Sequence, residues 1–112
     1  MYSKELYKGT LSTVILKLLK EHGEMYGYEI TKMVSEITDG EISIKEGSLY
    51  PALHRMEKEG VIKARLAKHG KRVRKYYSLT KESKGIVAEK IEEFNSFIAT
   101  INKILNPKLS SK

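Results

Sequence analysis

Apolar residues recur every three or four positions in three stretches of the first sixty residues, and this spacing predicts three amphipathic helices. The first stretch covers residues 11–19, and its helix ends at Gly23, which suits a left-handed C-cap. The second stretch covers residues 26–37 and stops at an Asp-Gly pair. The third predicted helix covers residues 46–59 and is closed by Gly60.

Leu49, Leu53 and Met56 form the predicted core face of this third helix. Pro51 constrains where the helix begins, because a proline inside a helix removes a backbone hydrogen bond and crowds the preceding turn. A start with Ser48 as the N-cap would place Pro51 in the first turn, where its missing N–H is no loss. We therefore expect Ser48 to cap this helix, and a bend in the third helix is the alternative.

Apolar and polar residues then alternate with a period of two through residues 62–68 and 72–79, which predicts two β-strands. The link around His69-Gly70-Lys71 is short and contains the glycine that a tight turn favours. One face of the pair is predicted to be apolar and to carry Ile62, Ala64, Leu66, Val73, Tyr77 and Leu79. The strands therefore form a hairpin with a strongly basic tip.

A last helix is predicted from its N-cap Thr80 to Leu105, where Asn106-Pro107 ends it. Residues 107–112 are expected to be a flexible tail. The helix carries an apolar seam with spacings of four and three, typical of a helix that packs along another helix. The seam consists of Val87, Ile91, Phe94, Ile98, Ile101 and Leu105, widened by Phe97 and Ile104.

Composition narrows the class of protein. The 112 residues contain no cysteine, which excludes disulfides, a thiolate nucleophile and cysteine-ligated zinc. Charged residues interrupt the first twenty positions, so we expect neither a signal peptide nor a membrane span, and we expect a cytoplasmic, bacterial protein. The net charge is +7, and residues 63–84 alone contain nine basic residues and one acidic residue. Such a concentrated positive field is typical of surfaces that meet a phosphate backbone, although a solvated basic hairpin would have the same composition.

The sequence offers no catalytic or metal-binding constellation. Asp39 is the only aspartate, and His22, His54 and His69 lie far apart, with no pair at helical ligand spacing. We therefore expect no enzyme activity, no metal and no cofactor.

Three helices followed by a basic hairpin are the element order of a winged helix-turn-helix, in which the third helix enters the major groove. The predicted fold class is mainly α with a small β-hairpin wing and a long C-terminal helix. The exposed face of the third helix is small, polar or basic, which suits close approach to DNA. It carries Gly47, Ser48, Pro51, His54, Arg55 and Lys58, with Tyr50 at its flank. Two alternatives stay open: Tyr50 packs against the wing, and His54 is merely solvated.

Three motifs in this order resemble the PadR family of transcriptional regulators. The GYEI run at 27–30 is similar to the family's GYxI signature, and the run GSLYPALHRMEKEG at 47–60 is similar to its third-helix signature. The run RKYYSLT at 74–80 is similar to the wing signature. One departure is Ser83, where the family usually has glycine, while this chain has its glycine at Gly85.

The resemblance implies which residues contact operator DNA. It places Tyr28, Gly47, Ser48, Tyr50 and His54 in or beside the operator contacts, and the exposed face of the third helix adds Pro51 and Arg55. It places Arg72, Arg74 and Lys75 on the wing, and the basic hairpin adds Lys68 and Lys71. For Tyr28, a core aromatic that holds helix two against the wing is the alternative interpretation.

The seam predicts a homodimer, because the small domain cannot cover it alone. Residues 1–80 would form the DNA-binding domain and residues 81–106 the dimerisation helix; intramolecular packing is the alternative. The resemblance implies that the last helix also packs on the partner's N-terminal segment, including Leu6. It further implies a small planar aromatic effector near Phe94 and Phe97, although phenylalanines at this spacing also suit plain dimer core.

These features predict a dimeric repressor that binds an inverted-repeat operator of its own or a neighbouring operon. A rival hypothesis is a protein-interaction module whose last helix docks on a partner while DNA binding is non-specific. RNA binding is less well supported, because the sequence shows no exposed aromatic platform of the kind that single-strand readers use.

Overall fold

The computed structural model describes residues 2–110. Within this range the chain forms seven helices and three strands. The helices are α1 (Lys4–Lys8), α2 (Leu11–His22), α3 (Gly27–Ile37), α4 (Glu46–Lys58), α5 (Lys81–Lys84), α6 (Val87–Leu105) and α7 (Pro107–Ser110). The strands are β1 (Glu24–Tyr26), β2 (Ile62–His69) and β3 (Arg72–Leu79). The predicted winged helix with a long C-terminal helix is confirmed.

The core lies where α2, α3 and α4 meet the base of the sheet, and it consists of the apolar faces that the periodicity predicted. Its large, fully buried side chains are Ile15, Leu19, Ile30, Leu49, Leu53, Met56, Ile62 and Val87. Burial of such a side chain stabilises the fold by about 1.5–3 kcal/mol. The burial of Leu49, Leu53 and Met56 therefore sets the orientation of α4.

The sheet has three antiparallel strands in the order β1-β3-β2. The predicted hairpin is present, with Ile62 opposite Leu79 and a turn at Gly70, whose φ is +67°. Strand β1 was not predicted, because its three residues are too few to show alternation, and the apolar periodicity predicted a helix from Tyr26 onward. In the structure Tyr26 pairs with Tyr76 instead.

An ion pair links the two outer strands across β3. Arg65 of β2 donates from Nε and Nη2 to the two carboxylate oxygens of Glu24 in β1, each at 2.7 Å. This hydrogen bonding lowers the pKa of Glu24 below its ordinary value, because it favours the ionised carboxylate. The bidentate geometry fixes Arg65 on the outer face of the sheet.

The predicted helix ends after α2 and α4 are confirmed. Gly23 follows α2 with a φ of +83°, and Gly60 follows α4 with a φ of +77°. Beyond α4, the Val61 N–H donates to the Met56 carbonyl at 2.9 Å, and the Gly60 N–H donates to Glu57 at 3.1 Å. This pair of bonds is a Schellman motif, which ends the helix and turns the chain into the wing.

The predicted N-cap of α4 at Ser48 is wrong. Its N-cap is Lys45, whose carbonyl accepts from the N–H groups of Ser48 and Leu49 at 2.9 Å, and Pro51 lies inside the helix. An interior proline costs about 3 kcal/mol. Leu49, Leu53 and Met56 are buried on the core face of this helix, and their burial, at about 1.5–3 kcal/mol each, offsets this cost. Gly47, whose carbonyl loses the bond from Pro51, is exposed to water.

The single last helix that the sequence predicted is also wrong. Thr80 is an N-cap as expected, and its hydroxyl accepts from the Ser83 N–H at 3.3 Å. The helix that it caps is α5, which ends at Lys84 with Gly85 as its C-cap, and α6 begins at Val87. The Ser83 hydroxyl is buried and donates to the Val61 carbonyl at 2.7 Å. The Thr80 hydroxyl donates to the Gly60 carbonyl at 2.8 Å. These bonds tie α5 to the end of α4, and the helix is interrupted at Gly85 and Ile86 before α6 begins.

Two short helices differ from the expectations for the chain ends. Helix α6 ends at Leu105 as predicted, but residues 107–110 form the one-turn helix α7 rather than a loose tail, and 111–112 lie outside the described residues. Proline is well suited to the first position of a helix, which explains α7. Helix α1 was not predicted, because five residues show no periodicity. Over residues 2–110, no helix is sufficiently long and apolar to cross a bilayer.

Candidate DNA-binding surface

Helix α4 presents a water-exposed face opposite its three core residues. On this face Gly47, Pro51, His54, Arg55 and Lys58 are exposed. Ser48 and Glu57 are half-buried at its edges. The predicted residues of the third helix are thus brought together on one surface, with small side chains near its N-terminal end and basic side chains toward its C-terminal end.

Tyr50 lies at the edge of α4 that faces the wing, and it packs on the first residue of α3. A Cβ atom added to Gly27 would lie 2.8 Å from Cζ of Tyr50 and closer still to its hydroxyl oxygen. A side chain at position 27 would therefore displace the Tyr50 ring, which the glycine leaves in place against α3.

The wing is held against α4 by an ion pair. Lys75 Nζ lies 3.4 Å from Glu57 Oε1, and it also lies 5.6 Å from the centroid of the Tyr77 ring. Tyr77 of β3 is buried on the core side of the sheet, and this burial raises the pKa of its phenol. Lys75 therefore has a structural contact with α4 in addition to its predicted role on DNA.

An aromatic cluster orients Arg74. Its guanidinium carbon lies 4.4 Å from the centroid of the Tyr26 ring, a cation–π distance. The Tyr26 ring stacks on Tyr28 with centroids 6.5 Å apart and meets Tyr76 edge-on at 5.5 Å. Tyr28 is 62% exposed, which overturns the alternative of a core aromatic. Tyr26 was not predicted as part of the site, because its role depends on pairing between β1 and β3.

A cleft of about 610 Å³ separates α3 and α4 from the wing. Arg72, Arg74 and Lys75 line one wall, and Tyr28 and Tyr50 line the opposite wall. Among residues 2–110, no acidic residue lines this cleft. Cations and phenol hydroxyls on facing walls suit a phosphodiester backbone, which offers anionic oxygens as acceptors.

The tip of the hairpin extends beyond the core. Lys68, Lys71 and Arg72 are exposed there, as expected of wing residues. Leu66 and Val73 were expected on the apolar face, but they are 69% and 59% exposed. Strand alternation places them on that face, yet no helix reaches far enough along the hairpin to cover them.

Most of the α6 seam is uncovered in a single chain. Phe97, Ile98, Ile104 and Leu105 are exposed, whereas Phe94 and Ile101 are half-buried. Val87, predicted as an interface residue, is completely buried in the core of its own chain, so it cannot contribute to an interface. Ile91 is partly buried against the same core. Leu6 of α1 is 59% exposed.

Comparison with known proteins supports the resemblance. Residues 15–89 match the PadR-like family of transcriptional regulators. A solved transcriptional regulator from Clostridium thermocellum is 39% identical with a TM-score of 0.78, covering 92% of this chain and 97% of that one. A PadR family regulator from Eggerthella lenta is 29% identical with a TM-score of 0.75, covering 91% and 87% of the two chains.

Bacillus subtilis PadR, solved in complex with operator DNA, is 34% identical with a TM-score of 0.66, covering 73% of this chain and 46% of that one. The match to the family takes in all of α3, α4 and the wing, the elements that form the surface described above. It confirms the prediction of a regulator rather than an enzyme. The chain belongs to the PadR-like family of transcriptional regulators.

Proposed function

We propose that this protein binds an inverted-repeat operator in double-stranded DNA as a homodimer and represses its own or a neighbouring operon. The observation that carries the proposal is the cleft between α4 and the wing, lined by three cations and no carboxylate. The structure of Bacillus subtilis PadR in complex with operator DNA supports it. Such a repressor acts in the bacterial cytoplasm, at the nucleoid.

In this proposal α4 lies in the major groove. Gly47 and Pro51 allow close approach, while Ser48, His54 and Arg55 contact bases or phosphates. Tyr28 and Tyr50, on the wall of the cleft, bind the backbone through their hydroxyl groups. The wing holds the same backbone through Arg72, Arg74 and Lys75, and Lys68 and Lys71 extend this contact from the tip.

The exposed seam of α6 supports dimerisation. An apolar strip of this size is unfavourable in water and is typically covered by a partner. We propose an interface formed by Ile91, Phe94, Ile98, Ile101 and Leu105, with Leu6 of α1. Residues 1–80 then form the DNA-binding unit and residues 81–106 the dimerisation unit. A two-fold dimer would contact half-sites about 34–36 Å apart along the duplex.

The same exposed seam leaves the protein-interaction module as a second candidate. In that case α6 would dock on a different protein, and DNA binding would be weak and independent of sequence. Salt dependence and competitor DNA separate the two candidates.

The first prediction concerns binding to the DNA upstream of the gene. We expect one protected inverted repeat. The logarithm of the affinity should fall linearly with the logarithm of the salt concentration, with a slope of about −0.9 for each phosphate that the protein neutralises. Arg72→Ala removes an exposed wing cation and should reduce this slope by about one. Lys20→Ala, which removes a cation outside the cleft, is the matched control.

Footprinting and gel-shift titration at two salt concentrations measure both quantities. His54→Ala should change the sequence preference rather than the slope, because base contacts specify and phosphate contacts position. Equal binding to operator and competitor DNA would contradict operator recognition and favour the interaction module.

The second prediction concerns the contact between Gly27 and Tyr50. Gly27→Ala should displace the Tyr50 ring and lower operator affinity on the order of tenfold, the loss expected for one hydrogen-bonding contact. Gly9→Ala is the control, because a Cβ atom there meets no atom within 4 Å. Gel-shift titration measures the affinity and circular dichroism the fold. A folded Gly27→Ala protein with unchanged affinity would show that Tyr50 makes no contribution to binding.

The third prediction concerns the dimer. Ile98→Asp should give a folded monomer with weakened operator binding, because Ile98 is 43% exposed and lies outside the core. Thr100→Asp adds the same charge to an exposed position on another face of α6 and should stay dimeric. Light scattering measures the mass. A dimeric Ile98→Asp protein would place the interface elsewhere.

The fourth prediction concerns an effector. We propose that a small planar aromatic compound binds between the paired α6 helices, because Phe97 is 60% exposed on the seam. Calorimetric titration with ethidium, a planar cationic dye, should give binding heats that Phe97→Ala abolishes. Identical heats for both proteins would reduce Phe94 and Phe97 to ordinary interface residues.

A further inference from the structure

Helix α4 has a second flank, opposite the wing. Because successive helical residues are about 100° apart, Tyr50 and Glu57 share one edge of α4, and Ser48 and Arg55 share the other edge. The first edge meets the wing through Glu57. The second edge meets α1, an element that the proposed DNA-binding surface does not use.

A cleft of about 390 Å³ lies between α1 and this second edge. Lys4 and Lys8 line it from α1, and Ser48 and Arg55 line it from α4. No acidic residue lines the cleft. Over residues 2–110, neither the two lysines nor Arg55 forms an ion pair with a carboxylate. Three uncompensated cations therefore converge beside the exposed face of α4.

The dimensions of DNA suggest what binds there. The major groove is about 12 Å wide and is bounded by two sugar–phosphate backbones, and an α-helix with its side chains is about 10–12 Å in diameter. A helix in the groove therefore has one backbone along each flank. The wing faces one backbone, and the cleft beside α1 faces the other.

We propose that Lys4, Lys8 and Arg55 bind a phosphate of the backbone that the wing does not contact. The two clefts then bind the two sugar–phosphate backbones on either side of α4, and these contacts hold the helix in the major groove. Arg55 supplies a planar, bidentate donor, and the two lysines supply compact charges on a flexible stem. This inference rests on the proposed function, since it assigns a further part of the same DNA-binding surface.

The test compares wild-type protein with a Lys4→Ala/Lys8→Ala double variant on operator DNA. When the salt concentration rises from 50 to 200 mM, both proteins should lose affinity for the operator. For each phosphate that the two lysines neutralise, the loss should be about 3.5-fold larger in the wild type than in the double variant, as a slope of about 0.9 per phosphate gives. The control is Lys20→Ala, which should behave as wild type. Light scattering verifies that the variants have the same mass as the wild type.

Operator DNA with single neutral methylphosphonate linkages then locates the phosphate. One methylphosphonate linkage should weaken wild-type binding and have no further effect on the double variant. We expect this linkage on the DNA strand whose sensitivity to methylphosphonate is the same in the Arg72→Ala variant and the wild type. Equal salt slopes, or equal sensitivity of both proteins at every linkage, would overturn the inference while leaving operator recognition intact.

Two further outcomes separate this inference from the proposed function. Binding without sequence preference, but with a smaller slope in the double variant, would overturn operator recognition and retain the phosphate site. Titration with inorganic phosphate provides the other arm: saturable binding that the double variant loses, with no effect of the variant on DNA, would assign the cleft to a free anion and overturn its role on the backbone.

Discussion

The burial of one face of α4 is the constraint on which the rest of the structure depends. Leu49, Leu53 and Met56 are almost completely inaccessible, so the helix cannot rotate without exposing them. Their burial stabilises the helix enough to accommodate Pro51 in its interior. The opposite face is thereby fixed outward, with its small and basic residues facing solvent. Both clefts take one wall from α4, so their positions follow from the same packing.

The end of α4 connects this surface to the C-terminal helices. The Schellman motif after α4 turns the chain into the wing, and its carbonyl groups at Gly60 and Val61 accept hydrogen bonds from Thr80 and Ser83. The Val61 carbonyl also accepts from the Thr80 N–H at 3.2 Å, so losing the Ser83 bond should cost about 0.5–1.5 kcal/mol, the net contribution of a typical hydrogen bond. The departure from the family's usual glycine thus supplies a structural bond. These hydrogen bonds connect α5, the element that precedes α6, to the end of α4.

Local patterns predicted the long elements well and the short ones poorly. Helices α2, α3 and α4 and the hairpin each show several repeats of their period, because each has a solvent-facing and a core-facing side. Strand β1 and helices α1, α5 and α7 contain three to five residues, too few for any period. Strand β1 forms by pairing with the free edge of β3, and Ser83 of α5 bonds to Val61, which lies 22 residues earlier in the chain.

The sequence by itself determined the family, the basic wing, the exposed face of α4 and the apolar seam, because each of these features depends on residue types at fixed local spacing. Only the tertiary structure decided which of those residues act together. It buried Val87 within its own chain, left Tyr28 exposed, paired Lys75 with Glu57 and set Arg74 over Tyr26. It also placed the lysines of α1 beside Arg55. These contacts join residues far apart along the chain, and their geometry depends on core packing that no local period encodes.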